Sequence, residues 1–155
     1  MRTRLTDDIK QAMRSGDKKR LGTLRLIQAA IKDRDLNIGM DSKGQPSGMD
    51  RISDADILSL LQKMIKQRRE SIATYAGAGR TDLVEQEEAE IVVIEDYLPR
   101  QMDGSEIETA VASVIGEIGA IGLKDMGRTM AVLKERFTGR MDFAKASAML
   151  KERLK

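Results

Sequence analysis

Residues 53–76 read Ser53-Asp-Ala-Asp-Ile-Leu-Ser-Leu-Leu-Gln-Lys-Met-Ile-Lys-Gln-Arg-Arg-Glu-Ser-Ile-Ala-Thr-Tyr-Ala76. Ile57, Leu60, Leu61, Met64, Ile65, Ile72 and Tyr75 recur at helical spacing, so the stretch reads as one amphipathic helix. Ser53-Asp54-Ala55-Asp56 supplies a cap and an acidic first turn that complements the helix dipole. Gly77-Ala78-Gly79 stops the helix after roughly 35 Å at about 1.5 Å per residue.

The neighbouring segments repeat this pattern. Leu5, Ile9, Ala12 and Met13 predict a short helix over 2–14, interrupted at Ser15-Gly16-Asp17. Leu21, Leu24, Ile27 and Ile31 predict a second over 17–36, capped by Asp17, in which Gly22 marks a close helix–helix contact. Residues 37–52 hold three glycines and Pro46 without apolar period and read as a flexible loop. That loop lacks the Walker A pattern and follows no strand, so it is not expected to cradle phosphate. A fourth helix starts at Thr81-Asp82, turns Leu83, Val84, Ile91, Val92 and Ile94 inward, and ends at Tyr97-Leu98-Pro99.

A domain boundary is expected there, dividing a helical domain over 1–97 from a three-helix tail over 98–155. In the tail, Asp103 and Glu106 form a capping box ahead of Ile107, Val111, Val114, Ile115 and Ile118. Gly119-Ala120-Ile121-Gly122 is a tight connection to a helix with Leu123, Met126, Gly127, Met130, Leu133 and Phe137 along its apolar stripe. Gly127 costs about 1 kcal/mol relative to Ala, which signals close packing or backbone approach to a ligand. Gly139 closes that helix, and Asp142 caps a last one. The expected fold class is therefore all-α.

Composition narrows the chemistry. With two prolines and 3% aromatic residues, good helix formers dominate. No cysteine means no disulfide, thiol nucleophile or thiolate metal site, and no histidine removes the commonest general base and metal ligand. No catalytic group, metal site or cofactor is expected, and carboxylate pairs such as Glu87/Glu88 read as a solvated helix face. Nothing resembles a signal peptide or a membrane span, which gives the expectation of a cytoplasmic protein without a membrane partner.

The net charge of +2 conceals segregation. Residues 1–36 carry ten Lys/Arg against five Asp/Glu, residues 81–97 carry seven Asp/Glu and no Lys/Arg, and residues from 120 onward carry nine Lys/Arg against four Asp/Glu. Lys124, Arg128, Lys134, Arg136, Arg140 and Lys145 are the candidate RNA-binding residues, read as several cations sharing one surface. Lys63, Lys66, Arg68 and Arg69 make a secondary basic patch. Two Phe, two Tyr and no Trp leave little for base stacking, so folded RNA recognised by shape and backbone fits better than a single strand. Met126, Met130 and Met149 serve as adaptable core filling, with a Met-lined groove for a partner helix as the alternative.

Leu24-Arg25-Leu26-Ile27-Gln28-Ala29-Ala30-Ile31-Lys32, Lys66-Gln67-Arg68-Arg69-Glu70-Ser71 and Tyr97-Leu98-Pro99-Arg100-Gln101 carry a resemblance to the GatB/YqeY family. So do Gly79-Arg80-Thr81-Asp82-Leu83 and Lys124-Asp125-Met126-Gly127, in order and spacing. The resemblance implies the helical and tail domains that also end the B subunit of Asp/Glu-tRNA amidotransferase, where the tail contacts tRNA. ATP use and transamidation belong to domains with no counterpart in these residues. It implies a tRNA-binding accessory factor. The alternatives are a protein partner in aminoacyl-tRNA metabolism, or a carbon–nitrogen ligase with glutamine as amido-N-donor. Ala144-Lys145-Ala146-Ser147 departs from the Gly-Lys-x-Val-Asn pattern of many members.

Overall fold

The side chains that the sequence offers as caps hold the helices where expected. Asp17 accepts the Arg20 N–H at 3.1 Å and Ser53 accepts that of Asp56 at 3.1 Å. Asp103 accepts from Glu106 N at 2.8 Å while Glu106 accepts from Asp103 N at 3.3 Å, a reciprocal capping box. A computed structural model describes residues 1–48 and 50–155, and among them there is no strand. The helices are α1 (Arg2–Ser15), α2 (Lys18–Ile38), α3 (Asp54–Gly77), α4 (Thr81–Glu95), α5 (Gly104–Ile118), α6 (Met126–Phe137) and α7 (Phe143–Arg153). A single 3₁₀ turn, Leu123–Asp125, leads into α6. Among the described residues no helix is long and apolar enough to cross a membrane.

The chain divides into two compact units, Met1–Leu98 and Pro99–Lys155. In the first, α1 packs on α2, α3 on α4, and α2 on α4. Leu24 and Ile27 of α2, Ile57 and Leu61 of α3 and Ile94 of α4 are essentially inaccessible, each contributing about 1.5–3 kcal/mol by burial. The second unit has its own core of Ile107, Val111 and Val114 from α5, Leu133 from α6 and Ala146 and Leu150 from α7. Met126, Met130 and Met149 pack partly buried against that core.

Two polar clusters tie the first unit across long sequence separations. Arg2 donates to both oxygens of Asp35 at 2.8 and 2.9 Å, and Asp35 also accepts the Ile52 N–H at 2.8 Å. Chiefly through the Arg2 hydrogen bond, the Asp35 carboxyl is held down at about 2. At the other cluster, Tyr97 donates its hydroxyl to Asp8 and lies under the Arg4 guanidinium, 4.4 Å from the ring centroid. Burial first, and Asp8 second, raise the Tyr97 hydroxyl above its ordinary value.

The structure departs from the sequence reading in several places. α2 runs two residues beyond 36, to Ile38. Of the expected loop 37–52, Met49 lies outside the described residues; the stretch around Asp41 is a self-bonded turn, with the Asp41 carboxylate accepting from Lys43 N at 2.8 Å and Gln45 N at 2.9 Å. Met13 is 49% and Val92 66% exposed: at about 100° per residue Val92 points away from buried Ile91 and Ile94, and Met13 stands off to the side of buried Ala12. Gly22 makes no close helix contact, since a methyl group placed on it would meet no atom within 4 Å.

Candidate nucleic-acid interface

The corner between α5 and α6 is built by backbone first. Gly119 caps α5 at φ +67°, a conformation that favours glycine. The Asp125 carboxylate then accepts the N–H groups of Ile121 at 2.9 Å and Gly122 at 3.3 Å, which fixes the turn. Those bonds, Ile121's foremost, lower its pKa. Beneath it, fully buried Thr129 donates its hydroxyl to the Asp125 carbonyl at 2.8 Å. The rigid corner thrusts Ile121 outward, 80% exposed, and Leu123, 51% exposed. Leu123 was expected on the inward stripe of the next helix; it sits instead in the 3₁₀ turn, before the α-helical period begins.

Gly127 lies in the first turn of α6, exposed, and a methyl group added there would touch nothing within 4 Å. Helix packing therefore does not explain it. Lys134 stands seven residues on, hence on the same side of α6 about 10 Å away, with exposed Ala131 between them. Lys124, exposed, precedes the helix. The result is a shallow strip of backbone and small side chains with a lysine at each end.

The six tail candidates do not form one uniform surface. Lys134 and Arg136, two residues apart, point about 200° apart around α6. Arg136 bonds Glu117 of α5 at 2.6 Å, and each holds the other's charged form, Arg136 raised and Glu117 lowered. Arg128 is paired with Asp125 at 3.1 Å. Among the described residues Lys124, Lys134, Arg140 and Lys145 form no ion pair; Arg140 is half-buried and the three lysines are exposed.

The secondary patch splits in the same way. Lys63 and Lys66 are exposed on α3, three residues apart and so adjacent on its surface. Arg68 is bonded to Glu90 at 2.9 Å, with both side chains largely covered, and Arg69 to Glu95 at 3.4 Å. Four of the seven acids over 81–97 are thus engaged within the chain: besides Glu90 and Glu95, Asp82 pairs with Arg80, and Asp96 with Arg4 and Arg20. The two arginines of the patch hold α3 to α4.

Sequence reading missed Ile121 and Leu123 as surface features. The available signal was two aliphatic residues flanking Gly122 in a connection too short to fold over them.

This chain belongs to the Yqey-like protein family, whose model matches residues 2–154. It is 35% identical over 144 residues to "Altered inheritance of mitochondria protein 41, mitochondrial" of Pyrenophora tritici-repentis, covering 86% of this chain and 71% of that protein. The protein of the same name from Lachancea thermotolerans is 34% identical over 116 residues, and that from Eremothecium gossypii 36% over 94. Those matches cover 74% and 61% of this chain but only 57% and 46% of the relatives, so the chain spans about half the length of these two. The names overturn the cytoplasmic expectation, since these relatives are mitochondrial by name. That expectation rested on finding no signal-peptide-like stretch or membrane span in the sequence, and neither finding names a compartment.

Proposed function

We propose that this chain is a tRNA-binding accessory protein whose tail engages the folded RNA body through backbone and phosphate contacts. The observation that carries the reading is the exposed strip Gly127–Ala131–Lys134 with Lys124 at its head, bearing lysines that form no ion pair among the described residues. A strip without bulky side chains lets a sugar–phosphate backbone approach closely, and unpaired lysines release counterions on binding phosphates. Ile121 and Leu123 beside it offer an apolar contact that does not depend on base identity. Shape-directed recognition of folded RNA uses this combination. The resemblance of the tail to the tRNA-contacting part of the amidotransferase B subunit supports the same reading.

Filter binding of the full chain to total tRNA tests it. Combined Lys124→Ala, Lys134→Ala and Lys145→Ala should weaken binding by at least about tenfold, or about 1.4 kcal/mol. These exposed positions leave the core untouched, so the melting temperature should hold. Unchanged affinity in the triple variant refutes the reading.

A further inference from the structure

The first unit holds a second unexplained feature, independent of the tail and of the RNA reading. Between α2 and α4 runs an open groove of about 850 Å³. Its walls follow α2 from Lys18 to Leu26 and α4 from Asp82 to Val93 at helical spacing, so the groove extends for about 12 Å along α2 and about 16 Å along α4. Its floor is small or apolar: Gly22 and Leu26 from one side, Ala89 and Val93 from the other. Leu26 is 47% exposed. Gly22 weakens α2 by about 1 kcal/mol relative to Ala, yet among the described residues no atom beyond its chain neighbours and its own helix backbone comes within 4 Å of the space its missing side chain leaves.

The rims carry opposite charge. On α2, Lys18-Lys19-Arg20 occupy the first turn, where the helix dipole disfavours cations by about 0.3–1 kcal/mol each. Arg20 is engaged by Asp8 and Asp96, whereas Lys18 and Lys19 form no ion pair among the described residues. On α4, Asp82 and Glu90 are taken by Arg80 and Arg68, leaving Glu85 facing the groove. The two free lysines and Glu85 line one groove without pairing with each other.

We propose that this groove is a docking site for an amphipathic α-helix of a partner protein, with an apolar stripe flanked by acidic residues on one side and basic residues on the other. Length and shape favour a helix: a groove lined by two helices over about two to three turns matches a third helix packed at about 8–10 Å from each. Gly22 and Ala89 permit that approach. The acidic flank meets Lys18 and Lys19, and the basic flank meets Glu85. A polyanion would be repelled by the α4 rim.

Fluorescence anisotropy with the full chain and stapled helical peptides of about 15 residues provides the test. Three peptides share a Leu/Ala stripe; one has an acidic and a basic flank, one has two acidic flanks, and one has two basic flanks. The mixed peptide should bind tightest. Gly22→Leu, which fills the groove while favouring helix, should weaken it by at least about tenfold without lowering the melting temperature. Leu26→Glu, at an exposed floor position, gives a second block should the first variant misfold. Lys18→Glu with Lys19→Glu should shift preference to the doubly basic peptide. No binding, equal binding of all three, or insensitivity to both floor variants overturns the proposal. So does displacement of the peptide by tRNA, or self-association of the wild type that Gly22→Leu abolishes, which would make the occupant RNA or a second copy.

Discussion

Replacing Lys134 with alanine removes one unpaired cation from the exposed strip of α6, and its effect should appear in the salt dependence of tRNA binding. Each phosphate neutralised contributes about 0.7–0.9 to the slope of log K against log salt. Four of the candidate cations, Lys124, Lys134, Arg140 and Lys145, form no ion pair among the described residues, so a surface using all four has a slope near −3 and loses about 100-fold in affinity between about 50 and 200 mM salt. Lys134→Ala should flatten that slope by about 0.8. Arg136→Ala is the internal control: its guanidinium is held by Glu117 at 2.6 Å on the far side of α6, so its loss should leave the slope nearly unchanged. Filter binding to total tRNA across the salt series reads both. Equal effects from the two substitutions would show that position on α6 is irrelevant, and a slope near zero would refute phosphate binding altogether.

Three further outcomes follow from the same geometry. Gly127→Ala should stabilise the chain by up to about 1 kcal/mol in urea unfolding, because its new methyl meets nothing, while weakening tRNA binding by obstructing backbone approach. Asp35→Asn should cost about 1–2 kcal/mol at neutral pH, given its three bonds to Arg2 and Ile52 and its partial exposure. Since folding depresses the Asp35 carboxyl to about 2, that stabilisation is full above the ordinary carboxylate range and fades as pH falls toward 2, so wild type and variant should converge in acid unfolding. Tyr97→Phe removes the bond to Asp8 and should cost about 1 kcal/mol in thermal unfolding, while in the wild type the Tyr97 absorbance change should come later than that of an ordinary phenol near pH 10.

Helix content was legible because the chain advertises it redundantly. Ser53, Asp17, Asp103 and Asp142 each cap where an apolar period begins, so two independent signals mark the same boundary. The departures lie where only one signal operated. Met13 and Val92 each stand about 100° around the helix from a buried neighbour, Ala12 and Ile91, so a loosely read period placed on the packed side two residues that lie beyond its edge. Leu123 belongs by spacing to the following helix; the Asp125 carboxylate captures the turn and sets it outward. That bond joins residues four apart through a side chain, and no apolar pattern encodes it.

The charge pattern was legible as segregation and illegible as function, for a reason particular residues expose. Counting cannot separate Arg68, largely covered against Glu90 to clamp α3 to α4, from Lys66 two residues earlier, which faces solvent. In both units most arginines pair with acids, whereas among the described residues the lysines other than Lys155, which meets Glu152, form no ion pair, as the bidentate, weakly hydrated guanidinium would favour. The glycines complete the separation. Gly22 and Gly127 each weaken a helix, neither is required by packing, and each lies beside free lysines on an open surface. A fold optimised for its own stability would carry alanine at both positions. Their retention at two separate lysine-edged surfaces is the physical reason to treat those surfaces as places where something else approaches the backbone.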